Sequence, residues 1–268
     1  MLASDWHVEE VVDPKTVNGR NRYNPDIARA RSVRFFQNAT RLIDHGRTGA
    51  TISDGVLWLG GDLITGYIHE ELVETNAMSP TEAIIFCQEL IVAGIDHLLA
   101  HANLERLVVP CSYGNHGRTT DRRRISSAAR NSFEWLMYRS LARHYASEKR
   151  VEFLIADGAH LYLPIYGQTL RFTHGDDVRY QGGVGGLTIP LRKACDSWDH
   201  FRPAELTCIG HWHELRDHGF CVANGSLIGF NAYALSIKAR FEPPRQAFFL
   251  LDAERGKTLV APIWVDDG

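Results

Sequence analysis

Val56-Leu57-Trp58-Leu59-Gly60-Gly61-Asp62 is the stretch from which the fold is read. Four apolar, strand-favouring residues run into two glycines and then a carboxylate. A continuous apolar run suits a strand buried on both faces, as in a sheet covered by helices. The glycines let the backbone turn tightly and approach a neighbour. Asp62 is left at the strand's carboxyl end, where open α/β sheets hold their ligands. Glycine and aspartate after a strand also make an ordinary turn. Asp62 therefore gains meaning only if other segments bring partners to the same place.

The chain has 268 residues, enough for one large α/β domain, and shows no repeat, linker or low-complexity tract. We read residues 1–268 as a single domain. The formal net charge of -3 gives no global basic field to attract duplex DNA or an anionic membrane. Cys87, Cys111, Cys195, Cys208 and Cys221 are odd in number, widely spaced and lack a C-x-x-C pair. Reduced thiols in a cytoplasmic setting are expected, with neither a disulfide framework nor a thiolate metal site. No apolar run approaches the roughly 20 residues of a membrane helix, and no secretory signal pattern is visible. Met1-Leu2-Ala3 leaves almost no room for a strand before Ser4-Asp5-Trp6-His7. A chain trimmed from a longer protein, or one with a remote or missing first strand, would read this way.

Asn24 reads as an N-cap with Pro25 at the first helical position. The helix that follows puts Ala28, Phe35, Phe36, Ala39, Leu42 and Ile43 on one face and ends at Gly46. A strand at 56–61 comes next. Ser79-Pro80-Thr81-Glu82 is a capping box opening a long helix, with Ile84, Cys87, Ile91, Ile95 and Leu98 inward. Leu107-Val108-Val109 is a second buried strand, followed by Gly114-Asn115-His116. The arginine-rich segment 118–124 precedes a helix over about 126–145. Short strands then crowd together at 151–155, 161–165, 170–173, 206–209, 220–223, 247–251 and 258–263, with one helix near 188–198. Strand–helix alternation followed by a strand-rich half predicts two packed sheets with helices outside.

Polar residues recur at the strand ends. They are Asp5 and His7 in D-x-H, Asp62, Asn115 and His116 in G-N-H, His174, and His211 and His213 in G-H-x-H. The atoms on offer are carboxylate and amide oxygens and imidazole nitrogens. This mix suits divalent manganese, iron, zinc or nickel. Even seven ligands from these eight residues are too many for one tetrahedral ion; they suit two ions sharing a carboxylate, and Asp62 holds the central position.

The ordered set D-x-H, G-D, G-N-H, H, G-H-x-H resembles the calcineurin-like metallophosphoesterases, from Asp5 to about Gly229. Asn224-Gly225-Ser226 is similar to a turn that often follows G-H-x-H in that family. Gly19-Arg20-Asn21-Arg22-Tyr23-Asn24-Pro25 and Gly66-Tyr67-Ile68-His69-Glu70-Glu71-Leu72 are similar to a subgroup encoded by bacteriophages and mobile elements. The resemblance implies a four-layer α/β/β/α sandwich and two divalent ions, manganese foremost. It implies that Asp5, His7 and His213 hold one ion, that Asn115, His174 and His211 hold the other, and that Asp62 bridges them. His116 lies outside the metal shell and, with Asn115, serves catalysis. The family often has an acid after G-N-H; here Gly117-Arg118 follows. Asp176 and Glu214 are the substitutes within reach of the sequence for orienting His116.

The implied activity is hydrolysis of phosphate esters, with His116 giving the leaving oxygen its proton. Arg118 follows the catalytic loop and offers a phosphate fork, against the alternative of a solvated turn with Arg122, Arg123 and Arg124. Arg20, Arg22 and Tyr23 form a second candidate substrate group, since their loop leaves His7. Tyr23 or Tyr180 could stack a base, though packing roles are as natural for both. His69 is better read as a surface residue. Gly182, Gly183, Gly185 and Gly186 flank Val184 in a loop that lets a substrate come close or simply turns. Two local basic groups favour a phosphodiester, in nucleic acid or a nucleotide, while the acidic net charge argues against extensive DNA binding. The alternatives are a phosphomonoesterase or protein phosphatase, and a non-catalytic scaffold that keeps the fold. Localisation is expected in the cytoplasm, that of the host if the chain is phage-encoded.

Overall fold

The apolar run at Val56 lies inside a parallel sheet whose strands are buried on both sides. In the computed structural model, which describes residues 1–180, 182 and 186–266, this run is β2 and β3 of the chain. Gly183, Val184 and Gly185 of the glycine-rich loop lie outside the described residues. The first half runs β1 (Leu2–Ala3), α1 (Pro25–Gly46), β2 (Asp54–Val56), β3 (Trp58–Leu59), α2 (Glu71–Thr75), α3 (Pro80–His101), β4 (Arg106–Cys111), α4 (Phe133–His144) and β5 (Val151–Ile155). The second half runs β6 (Leu161–Ile165), β7 (Gln168–Phe172), α5 (Thr188–Asp199), β8 (Leu206–Ile209), β9 (Arg216–Asp217), β10 (Cys221–Ala223), α6 (Ala232–Ser236), β11 (Arg245–Asp252) and β12 (Gly256–Trp264).

The expected strand at 56–61 starts and ends earlier, at 54 and 59. It is interrupted at Leu57, yet Asp54 faces Arg106 and Leu59 faces Cys111, so β2 and β3 follow β4 in one register. β1 does exist: Leu2 and Ala3 pair in parallel with Trp58 and Leu59, and two residues suffice to aim Asp5. β5 closes the other side of β4, also in parallel. The second sheet has the order β6-β7-β8-β10-β9, with β7, β8 and β10 parallel. β11 and β12 form a separate antiparallel hairpin.

Alternation along the strands sorts side chains between layers. Leu57, Leu59, Leu107 and Val109 enter the core under α1, α3 and α4, with Phe35, Ile91, Ile95 and Met137. Leu2, Trp58 and Val108 point the other way and meet Leu170, Phe172, Leu206, Cys208 and Val222 of the second sheet. Ile209, Cys221 and Ala223 face outward against Leu191 and Cys195 of α5. The result is a four-layer α/β/β/α sandwich, as the sequence leads one to expect.

Both early helices carry the expected caps: Asn24 accepts from the Ile27 amide, and Ser79 and Glu82 form a complete capping box. The helix expected over 126–145 is shorter. It starts at Phe133, where the Ser132 hydroxyl accepts from the Trp135 amide, leaving 118–128 as loop. All five cysteines are buried free thiols. Contrary to the sequence expectation, α3 is by length and composition apolar enough to cross a membrane, with a mean hydropathy of 1.7. In this fold its Cys87, Leu90, Ile91, Ile95 and Leu98 are core, and it packs against α1 and α4.

Candidate metal centre

Because β1, β3 and β4 are parallel, as are β7 and β8, the loops after them emerge at one edge. Asp5 and His7 follow β1, Asp62 follows β3, Asn115 and His116 follow β4, His174 follows β7, and His211 and His213 follow β8. Three groups offer ligand atoms within 4.8 Å of one another: Asp5, His7 and His213; His7, Asp62 and His116; and Asp62, His174 and His211. Asp62 and His7 each take part in two groups. His116, expected outside the ligand set, stands close enough to count in one.

Backbone strain concentrates here. Asp5, His7, Asp62, His211 and His213 all have positive φ, between 49° and 67°. Non-glycine residues rarely adopt this region, and at functional sites such strain aims side chains that ordinary dihedrals would turn away. Between Asp5 and His7, Trp6 points inward, fully buried and edge-on to Phe35 and Phe36. The Asp62 and Asn115 loops touch through their glycines. A Cβ on Gly61 would lie 2.3 Å from the Gly114 amide nitrogen, and one on Gly114 would lie 2.1 Å from Asp62 Oδ1.

The hydrogen bonds on Nδ1 aim the Nε2 atoms of His174 and His7 into the cluster. The Gly60 carbonyl accepts a hydrogen bond from His174 Nδ1 at 2.8 Å. Nε2 of the same ring faces Asp62 Oδ2 at 2.9 Å and Asn115 Oδ1 at 3.2 Å. The two oxygens and this nitrogen can converge only with a cation among them, a proton on Nε2 or a metal ion in its place. His7 Nδ1 sits 3.1 Å from the Thr65 hydroxyl, while its Nε2 is buried with no partner. These atoms fit a divalent-ion site.

The electrostatics agree. Burial pulls His174 down, but the adjacent Asp62 carboxylate outweighs it and holds the imidazole well above its usual range. Burial likewise pushes Asp62 up, and His174 and then His116 hold it well below the usual carboxylate range. Asp5 and His213, 3.3 Å apart, shift in the same opposed sense against their burial. Burial drives His7 well down and His211 down to about 4.

His116 is oriented by neither Asp176 nor Glu214. The Thr65 carbonyl lies 2.9 Å from its Nδ1, and its amide donates to Asp62 Oδ1 at 2.8 Å. Asp176 pairs with Arg123, and Glu214 with Arg216. A backbone carbonyl does the work of the absent acid, and no side-chain pattern announces it.

The substrate-binding candidates fare unevenly. Tyr23 is corrected: it is fully buried, and its hydroxyl donates to the Trp6 carbonyl at 2.6 Å, so it cannot meet a substrate. Asn21 of the same loop donates to the carbonyls of Ile228 and Phe230, and Arg31 of α1 donates to those of Leu227 and Ile228, so Asn21 has a structural role in that phrase. Arg20 and Arg22 are exposed. The Arg20 guanidinium lies over Phe241, and among the described residues no hydrogen bond or ion pair joins either arginine to the cluster. Arg118 lines the cleft beside Asn115, but it donates to the carbonyls of Asn115, Thr120 and Asp121 and so braces its own loop. Tyr180 packs against Trp212, and His69 is exposed.

Sequence reasoning missed the supports beneath the ligands. Glu134, fully buried, accepts from the amides of Leu63 and Gly114 and so joins the two glycine loops. Burial and then the nearby Asp62 charge push it up to about 8. Its signal was present: it shares the buried stripe of α4 with Met137, Tyr138 and Leu141. Glu9, raised by burial to about 7, accepts from the amides of Thr65 and Gly66. Asn224 donates to the Ser4 hydroxyl, which donates to Asp5 Oδ2, so the Asn-Gly-Ser turn supports the first ligand from behind.

No protein-family model matches the chain, and no curated protein does. Several solved structures are similar. Vps29 from Entamoeba histolytica complexed with Zn2+ is 13% identical, over 58% of this chain and 82% of that one, with a TM-score of 0.31. Vacuolar Protein Sorting 29 from Cryptosporidium parvum is 16% identical, over 63% and 85%, with a TM-score of 0.30. The hypothetical protein PH1004 from Pyrococcus horikoshii OT3 is 15% identical, over 85% and 81%, with a TM-score of 0.40.

Proposed function

We propose that the protein is a metal-dependent phosphoesterase, acting on phosphodiesters of nucleotides or nucleic acid. The observation that carries this reading is the convergence of Asp62 Oδ2, Asn115 Oδ1 and His174 Nε2 beside the orphaned His7 Nε2. Asp5, His7 and His213 would hold one divalent ion, and Asn115, His174 and His211 the other, with Asp62 shared. Manganese is the first candidate by the family resemblance, and the donor set equally suits iron, zinc or nickel. Ions bound there supply a water of lowered pKa and a Lewis-acid clamp on phosphate oxygens.

The chain's own residues do the rest. The Thr65 carbonyl retains the Nδ1 proton of His116, so Nε2 is the atom that gives and regains a proton at the leaving oxygen. Asp62 Oδ1 fixes the His116 backbone, and the Glu134 carboxylate holds the Asp62 and Asn115 loops together. A phosphodiester is favoured over a monoester because arginines stand beside the centre on the 118–124 loop. The two phage-like phrases support a place in the cytoplasm of a bacteriophage's host.

Hydrolysis of bis(p-nitrophenyl) phosphate with manganese tests the reading. Activity is expected in the wild type, with a loss of roughly 10²–10⁴-fold in kcat for His116→Ala and abolition in Asp62→Asn. Unchanged metal-dependent turnover in either variant would sink it.

A further inference from the structure

The cleft beside Asn115 and His174 carries chemistry that a metal centre alone does not use. Tyr113, Arg118, Arg123, Arg124, Ile125 and Asp176 line it. Three guanidiniums stand there against one carboxylate, so the cleft attracts anions. Each arginine has a different duty. Arg118 is spent on its loop carbonyls. Arg123 sits 2.9 Å from Asp176, half exposed and open to exchange for a phosphate. Arg124 is exposed at the rim. Beside it Ile125 is 88% exposed, a large apolar side chain left in water next to two cations. Tyr113 is half-buried on the wall. Phosphate forks next to apolar and aromatic surface match a nucleotide, with its charged backbone and flat base.

We infer that this cleft binds the nucleotide adjacent to the scissile phosphodiester, its phosphate on Arg123 and Arg124 and its base against Tyr113 and Ile125. Arg123 exchanges the Asp176 carboxylate for that phosphate. The inference rests on the phosphodiesterase reading and narrows it, since a monoester or a small diester leaves the cleft empty. The substrate class is a single strand of at least two nucleotides, because a duplex would bury its base away from Tyr113 and Ile125.

Two measurements test it. The first is fluorescence anisotropy of labelled pentathymidylate with calcium present, comparing the wild type, Arg124→Ala and the double variant Arg123→Glu/Arg124→Glu. Arg192→Ala, a surface change on α5, serves as the control. A rise in Kd of about tenfold or more is expected for the double variant, with a smaller rise for Arg124→Ala. A Kd within about twofold of the wild type in both overturns the inference. The second is kcat/KM for pentathymidylate divided by that for bis(p-nitrophenyl) phosphate. This ratio is expected to fall about tenfold in the double variant, and an unchanged ratio overturns the inference. Weakened binding without turnover of either substrate keeps the cleft and removes the phosphodiesterase reading. Turnover of both substrates with binding and ratio unaltered keeps that reading and removes the cleft.

Discussion

Five of the nine described non-glycine residues with positive φ are candidate ligands, which is the residue-scale signature of this centre. Their strain is tolerated because backbone bonds on either side fix them: the Asp5 amide donates to the Gly61 carbonyl and the His7 amide to that of Asp62. Asp62 stands in two of the ligand groups, whereas His213 stands in one. Metal content should therefore fall from about two ions per chain to near none in Asp62→Asn, and to about one in His213→Ala. Elemental analysis of dialysed protein checks this, and equal losses in the two variants would refute the shared role. Tyr23 makes the converse case. Tyr23→Phe removes a buried hydrogen bond to Trp6 and should cost about 1–2 kcal/mol in urea unfolding. Its KM should stay at the wild-type value; a raised KM would restore Tyr23 as a substrate contact.

At the scale of elements, the centre depends on how closely two strand-end turns approach. Gly61 and Gly114 meet backbone to backbone, and Gly61 has a φ of 84°. Gly61→Ala adds a Cβ where the Gly114 amide stands. It should destabilise the fold by about 2–4 kcal/mol, combining left-handed strain with the clash. The same change should lower metal affinity, because Asp62 is the next residue. Urea midpoints and metal titration check both, and an unshifted midpoint would mean that the two turns part freely. The capped helices α1 and α3 were legible because capping is local chemistry. The start of α4 was expected too early because apolar residues in 126–131 resemble a helix face. The local signal for the later start is the Ser132 cap, and the bond from the Phe133 amide to the Gly117 carbonyl fixes the turn there.

At the scale of the molecule, the buried charges make metal-free stability depend on pH. Glu134 is raised to about 8 and Glu9 to about 7, so the fold binds protons that the unfolded chain has already released. Their stabilisation is complete below the ordinary carboxylate pKa and is lost as pH rises through those values. His174 and His213 are also raised, and their contribution declines above the ordinary imidazole pKa. His7 and His211 are lowered and act in the opposite sense, but only below that pKa. The Met1 ammonium, lowered by burial to about 6, and the Cys195 thiol, lowered to about 7 by its hydrogen bond with Cys221, act in the opposite sense in this window. Two raised carboxyls and two raised imidazoles outnumber them, so the metal-free protein should lose stability from about pH 6.5 to pH 8. A divalent ion should reverse the trend, since it binds the deprotonated ligands. Urea midpoints at the two pH values, with and without manganese, check the sign; a metal-free midpoint that rises with pH would contradict it.

Much of this protein stands in the sequence itself. Apolar runs and the order of strands and helices gave the buried strands and two packed sheets with helices outside, because a strand covered on both faces must be apolar throughout; the four-layer sandwich was what the family resemblance implied. The ligand candidates were visible because each follows a strand, and parallel strands deliver their ends to one edge. The tertiary structure alone decided what each residue touches. It put Tyr23 in the core and spent Arg118 on its own loop. It gave His116 a backbone carbonyl as its orienting partner and set Glu134 and Glu9 beneath the site. It also set the 113–125 segment, with Tyr113, Arg123, Arg124 and Ile125, against Asp176 to form one cleft. Spacing along the chain reports which face a residue occupies. Hydrogen-bond partners depend on loops meeting across the two sheets, and no local pattern carries that information.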